Sequence, residues 1–252
     1  MRDVERKRGL RTRAILPWPV RLLLLAVLAA GFNVWLHTQA PGALAHSRSH
    51  AIVADITGSY TGIKGDMYTG GPTPIAADGQ SWSSEVLWAI NYSYCTGSLL
   101  GGSWIETGWR QYGGQSPRMY YGYLVPSSCT WKRVQYQSIA PHSYHSQELR
   151  NLGSVWRAYH DGAAKPTVTT GWQTAHWIEA GGEVYGDVPT GMQGGVSNLK
   201  YRIGTTYYSF DYAHGYACEP IGNPAYNLIW NTTPYNIFDW GYDLWGGGCP
   251  DD

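Results

Sequence analysis

Apolar and polar residues alternate in short runs along this chain, and most runs end at glycine, proline or Asp-Gly. Side chains alternate faces along a β-strand, so this period-two pattern predicts strands. Tyr60 to Tyr68 alternates until Gly70-Gly71-Pro72 breaks it, and Ser84 to Tyr94 sets Val86, Trp88, Ile90 and Tyr92 on one face and Leu87 on the other. Ser103 to Tyr112 and Arg118 to Val125 flank the loop Gly113-Gly114-Gln115-Ser116-Pro117, which predicts a hairpin. Val155 to His160 and Thr167 to Thr170 flank Asp161-Gly162 in the same way. Trp131 to Ile139, Thr174 to Tyr185, Leu199 to Ile203 and Thr205 to Tyr212 read as further strands. His46 to Tyr60 reads as a polar lead-in with one apolar stretch, Ala51 to Ile56, and Cys218 to Cys249 as a loop-rich tail with Pro220, Pro224 and Pro234. No segment carries a helical period. Many short strands with regular turn signals point to an antiparallel sandwich or barrel, and the expected fold class is all-β, an antiparallel two-sheet β-sandwich.

Two of these runs share a phrase, Trp104-Ile105-Glu106-Thr107-Gly108 and Trp177-Ile178-Glu179-Ala180-Gly181. In each copy Trp and Glu share one face and Ile points to the other. If the Ile face is core, two carboxyl groups stand in an aromatic setting, a geometry that acid/base chemistry uses. The repeat alone fits equally well two strands that each carry a solvated Glu. Gly181-Gly182 inside the second run suggests a bulge, or a place where substrate backbone comes close.

The first 45 residues change the compartment. Six Lys/Arg between Arg2 and Arg13 precede an apolar run from Leu22 to Leu36, and Ala43-Leu44-Ala45 then offers an A-x-A cleavage site. This is the pattern of a secretory signal peptide over residues 1–45, leaving one domain over 46–252 with no stable membrane anchor. Asn33 interrupts the apolar run, which is shorter than the roughly 20 residues of a membrane span. Residues 1–45 hold seven of the 18 Lys/Arg and two of the 18 Asp/Glu, so the remainder carries 11 basic and 16 acidic groups, a net of −5. Such a balance does not attract a phosphate backbone, and no nucleic-acid partner is expected. With 32 Gly, 20 Tyr and 13 Trp against 3 Phe, composition favours sheet and turn over helix. The four cysteines of an exported chain are read as two disulfides, Cys95 with Cys129 and Cys218 with Cys249, because each pair brackets one compact segment.

From Tyr60 to about residue 200 the order of these features resembles the neprosin-like glutamic peptidases and, more distantly, the fungal eqolisins. Tyr60-Thr61-Gly62-Ile63-Lys64 is similar to the family's opening strand, and Ser84 to Asn91 with Leu87-Trp88 to the strand before its first catalytic segment. Ile105-Glu106-Thr107-Gly108-Trp109 resembles the neprosin phrase Ile-Glu/Gln-Ala-Gly-Trp, and Glu106 falls where eqolisins carry a catalytic glutamine. Arg118 to Tyr123 resembles the aromatic strand that follows. Ile178-Glu179-Ala180-Gly181-Gly182-Glu183-Val184 is similar to Val-Glu-Trp-Gly-Gly-Glu-Val, with Ala180 in place of Trp, and Met192-Gln193-Gly194-Gly195 to Met-Gly-Ser-Gly.

The resemblance implies a secreted, acid-active glutamic endopeptidase with Glu106 and Glu179 as catalytic pair, Glu183 as alternative to Glu179, and cleavage next to proline. Two close carboxyls cannot both ionise cheaply, so one acts as base and the other as proton donor. Trp104, Trp177, Tyr121 and Tyr123 are the expected substrate-binding aromatics, the partner is a protein or peptide substrate, and the chain is expected to be a monomer. No cofactor or metal is expected. His142-Ser143-Tyr144-His145 with His160 offers imidazoles for zinc but no further ligand pattern, and Ser127-Ser128 lacks nucleophile-elbow spacing. Two other classes use the same features: a non-catalytic carbohydrate- or surface-binding sandwich, and a two-carboxylate glycoside hydrolase. Asn91-Tyr92-Ser93 and Asn231-Thr232-Thr233 match the glycosylation pattern.

Overall fold

The computed structural model describes residues 58–70, 80–98, 101–186 and 194–210 in full, and the backbone alone of strand residues 48–55, 191–193, 216–221, 226–230 and 238–242. The expected leader, 1–45, lies outside the described residues, as do the side chains of Cys218 and Cys249.

The elements in chain order are β1 (Arg48–Asp55), β2 (Gly62–Thr69), β3 (Trp82–Asn91), β4 (Ser103–Tyr112), β5 (Arg118–Val125), β6 (Thr130–Ser138), β7 (Tyr144–Asn151), β8 (Trp156–His160), β9 (Ala163–Val168), β10 (Trp177–Tyr185), β11 (Gly191–Ile203), β12 (Thr206–Ser209), β13 (Tyr216–Ile221), β14 (Tyr226–Trp230) and β15 (Phe238–Tyr242). One seven-stranded sheet runs β13-β1-β10-β3-β4-β5-β6, and an eight-stranded sheet runs β14-β15-β11-β2-β7-β8-β9, with β12 on β11. All pairings are antiparallel. The molecule is the expected all-β two-sheet sandwich.

Between the sheets, Leu87, Ile105, Trp109, Ile178 and Ala180 of the first meet Ile63, Met67, Leu149, Trp156 and Leu199 of the second. The Ile face of both repeated phrases is therefore core. Burial of this apolar area, at about 25 cal/mol per Å², is the main stabilising term. A second cluster, Val86, Trp88, Ile90, Trp104, Tyr120 and Leu124, covers the opposite face of the first sheet. Nine of the ten residues of β3 are buried as a result, since its side chains pack among their neighbours on both faces of the sheet.

Both expected hairpins form. In the β8–β9 turn Asp161 and Gly162 both take positive φ, 46° and 76°, as a two-residue turn of the type that matches strand twist. Three expectations are corrected. The lead-in contains β1, which pairs with β10 along its length. The tail from Cys218 to Cys249 is not simply loop, since β13, β14 and β15 join the two sheets. Gly181-Gly182 forms no bulge: β10 pairs in unbroken register with β1 and β3 through both glycines.

Cys95 and Cys129 form the expected disulfide, with Cα atoms 5.5 Å apart. It joins the turn after β3 to the turn between β5 and β6. Closing a 34-residue separation stabilises by about 4 kcal/mol in the chain-entropy model.

Candidate active site

Because no bulge interrupts β10, its period of two holds from Trp177 to Tyr185, and Trp177, Glu179, Gly181, Glu183 and Tyr185 share the face away from the core. On β4 the same face carries Trp104, Glu106, Gly108, Arg110 and Tyr112. Strand β3 lies between them, and its register sets two transverse rows. Glu179 is opposite Trp88, Trp88 opposite Glu106, and Glu106 opposite Gly122 of β5. Four residues along, Glu183 is opposite Ser84, and Ser84 opposite Arg110. Two strand spacings place the backbones of β4 and β10 roughly 10 Å apart, so side chains in one row lean over a common strip.

The face is a groove of about 490 Å³ lined by Trp82, Trp104, Glu106, Arg110, Trp131, Glu183 and Tyr185, among others. Glu106 is 5 % exposed, and its Oε2 accepts the indole N–H of Trp88 at 3.0 Å. Gly122 makes room for it, since a Cβ there would lie 2.8 Å from Glu106 Oε1 and 2.9 Å from Trp131 Nε1. Glu179 is half-buried and does not line the groove. Its charge reaches Tyr92, whose phenol is pushed up to about 12 by burial first and by Glu179 second. Tyr92 meets Trp177 edge-on, with ring centres 6.2 Å apart, so Glu179 has an aromatic neighbourhood of its own.

Glu183 is 2 % exposed, and its Oε2 lies 3.5 Å from Arg110 Nη2 and accepts the Ser84 hydroxyl at 3.5 Å. The Arg110 guanidinium stands 3.8 Å over the Trp82 ring and 5.2 Å from Tyr120. Burial opposes its charge, and Tyr120, Glu183 and Glu106, when ionised, favour it, so the guanidinium holds its proton more firmly than a free arginine. The Tyr120 phenol is pushed well above its ordinary range by burial and then by Glu106, and so stays neutral.

Glu106, Glu179, Glu183, Trp104 and Trp177 thus share one face, with Glu106 and Glu183 in the groove lining and Glu179 in the Glu106 row. Tyr121 and Tyr123 do not join them. Tyr121 belongs to the inter-sheet core and Tyr123 packs against it, because both alternate with Tyr120 and Gly122, which face the groove. Arg110 was missed as a site residue. Its signal was the period itself, since each phrase carries a charged residue four positions after its Glu, Arg110 in one and Glu183 in the other. What the face offers chemically is two carboxyl rows, one fixed cation and aromatic walls, an arrangement suited to moving protons beside a bound polymer.

No protein-family model and no curated protein matches the chain. Solved structures do. Scytalido-glutamic peptidase with a peptide-based transition-state analog aligns with a TM-score of 0.51 at 8 % identity, covering 78 % of this chain and 98 % of that one. SCP-B, a member of the eqolisin family of peptidases in complex with the tripeptide Ala-Ile-His, aligns with a TM-score of 0.50 at 8 % identity and the same coverage. A second structure of scytalido-glutamic peptidase, with a transition-state analog inhibitor, gives 0.50 at 11 % identity. The chain therefore shares the fold of glutamic peptidases, at identities where only the fold is common.

Proposed function

We propose that this chain is an exported glutamic-type endopeptidase, acting at acidic pH on peptide substrates laid on the outer face of the first sheet, across the row that holds Glu179 and Glu106. The observation that carries the reading is the single transverse row Glu179, Trp88, Glu106, in which two carboxyl groups flank one indole. The similar structures, solved with a peptide-based transition-state analog and with a tripeptide, favour a peptide over a sugar on that face. Neprosin-like cleavage beside proline, action as a monomer and release of residues 1–45 belong to the same proposal.

In this mechanism Glu179 is ionised and takes a proton from the water that attacks the scissile carbonyl carbon. Glu106 is protonated and donates a hydrogen bond to the carbonyl oxygen as it becomes an oxyanion. Collapse of the tetrahedral intermediate breaks the C–N bond, and the Glu106 proton passes to the leaving nitrogen. Glu106 then holds a negative charge and Glu179 a proton, and exchange with solvent resets the pair. Trp88 orients Glu106 through its indole N–H. Glu183, paired with Arg110 and Ser84, has its oxygen engaged by a cation and serves to fix the groove floor rather than to shuttle protons. The test is cleavage of denatured protein by the purified chain from acidic to neutral pH. Cleavage confined to acid and insensitive to thiol and serine reagents is expected; a folded chain that cleaves nothing at any pH would move the reading to a binding protein.

A further inference from the structure

We propose that His145, His160 and Asp161 form a binding site for a divalent transition metal, with zinc the ion their donor set fits best, clamping β7 to the β8–β9 turn. Strands β7 and β8 pair with Gln147 opposite His160, so His145, two residues before Gln147, projects on the same side as His160. The imidazole rings lie 5.3 Å apart. The positive φ of Asp161 folds its carboxylate back toward both. Its Oδ2 then lies 2.9 Å from His145 Nδ1 and 3.2 Å from His160 Nε2, and all three donor atoms fall within 4.8 Å of one another. Metal–ligand bonds of about 2.0 to 2.1 Å in a tetrahedron separate the ligand atoms by roughly 3.3 Å, close to these spacings.

Two further observations point to a cation. His160 Nε2 belongs to a side chain 2 % exposed, and it makes no hydrogen bond among the described residues although the carboxylate oxygen is near. The outer contacts also fix the His145 ring. Ser143 Oγ, within 2.6 Å of the Ala140 carbonyl, hydrogen-bonds His145 Nε2 at 2.9 Å. On the other side of the ring, Nδ1 faces the Asp161 carboxylate oxygen at 2.9 Å. Asp161 is oriented in turn, its Oδ1 accepting the Ser146 N–H at 2.8 Å. Ligands held by such outer partners are characteristic of metal sites. His142, part of the sequence pattern, stands apart on Tyr68 at 3.1 Å, and Asp161 supplies the third ligand instead. The Asp161 side chain is 48 % exposed, which leaves an entry path and a fourth position for water.

This site faces the space between the sheets from the second sheet, whereas Glu106 and Glu179 lie on the outer face of the first, so metal here holds the fold and takes no part in hydrolysis. The test uses the whole secreted chain, treated with chelator, dialysed, and titrated with zinc chloride at near-neutral pH, where the ligands are deprotonated. Calorimetry is expected to show one zinc per chain with a rise in Tm. His145→Gln and Asp161→Asn, the latter keeping a residue that tolerates positive φ, should each weaken zinc binding by about 10- to 100-fold. Chelated protein should still cleave substrate in acid. Stoichiometric zinc binding that both variants retain would place the metal elsewhere. No zinc binding by the parent chain would overturn the proposal.

Discussion

Glu179 and Glu106 occupy one row, but the reaction asks different things of them, and substitution separates the roles. Glu179→Gln removes the only group proposed to accept the water proton, and kcat/KM should fall on the order of 100- to 10,000-fold. Glu106→Gln keeps a hydrogen-bond donor for the oxyanion, so part of the activity should survive and extend toward neutral pH, because an amide donor does not depend on a proton. A pH–rate profile of each variant checks both. Glu183→Gln should behave otherwise: it leaves the buried Arg110 without its carboxylate, and urea denaturation should show a loss of about 3 to 5 kcal/mol while the folded fraction keeps its kcat. A collapse of kcat with an unchanged melt would make Glu183 the base. Gly122→Ala tests the seat of Glu106. Its methyl would fall 2.8 Å from Glu106 Oε1, and a carboxyl displaced by about 1 Å should lose on the order of 100-fold in kcat with little change in KM.

At the scale of elements, β3, β4, β5 and β10 were legible because alternating aromatic and aliphatic residues mark two buried faces. Strand β7 was not. Its inward positions are His145, Gln147, Leu149 and Asn151, and the polar members are matched by specific partners, such as Thr107 Oγ1 donating to Gln147 Oε1 at 2.9 Å, that no period announces. The paired glycines in β10 misled for a related reason. Glycine signals a bulge only where the ladder needs one, and here both flanking strands hold the register. The disulfide was readable from spacing, and its consequence is local. Cys95→Ser or Cys129→Ser should lower stability by up to about 4 kcal/mol in a denaturant titration under oxidising conditions. Since Cys129 also lines the groove, the same change should loosen the end where the chain turns from β5 into β6.

Over the whole molecule, the candidate site was half legible: the repeated phrase exposed Glu106 and Glu179, but which residues neighbour them across strands depends on pairings that sequence does not number. Tyr121 and Tyr123, expected to bind substrate, pack with the inter-sheet core instead, because the β4–β5 register sets which β5 side chains share the face of Glu106. Tyrosine also sets a limit on stability with pH. The phenols of Tyr92, Tyr120 and Tyr136 are pushed up, in each case chiefly by burial. Their contribution is complete below the unfolded value of about 10 and is lost as pH rises through their folded values, so Tm should fall in strong alkali from this cause and not in acid. The position of β10 reaches further. Its neighbours β1 and β3 are both made much earlier in the chain, with Ala54 opposite Glu179 on one side and Trp88 opposite it on the other. Contacts so distant along the chain close slowly, after hairpins such as β4–β5 have formed. During refolding from denaturant, peptidase activity should therefore return with the slowest kinetic phase, behind the early recovery of sheet. A half-folded chain would carry both glutamates and yet be harmless to itself and to its neighbours, because they stand in one row only when β10 slides into place.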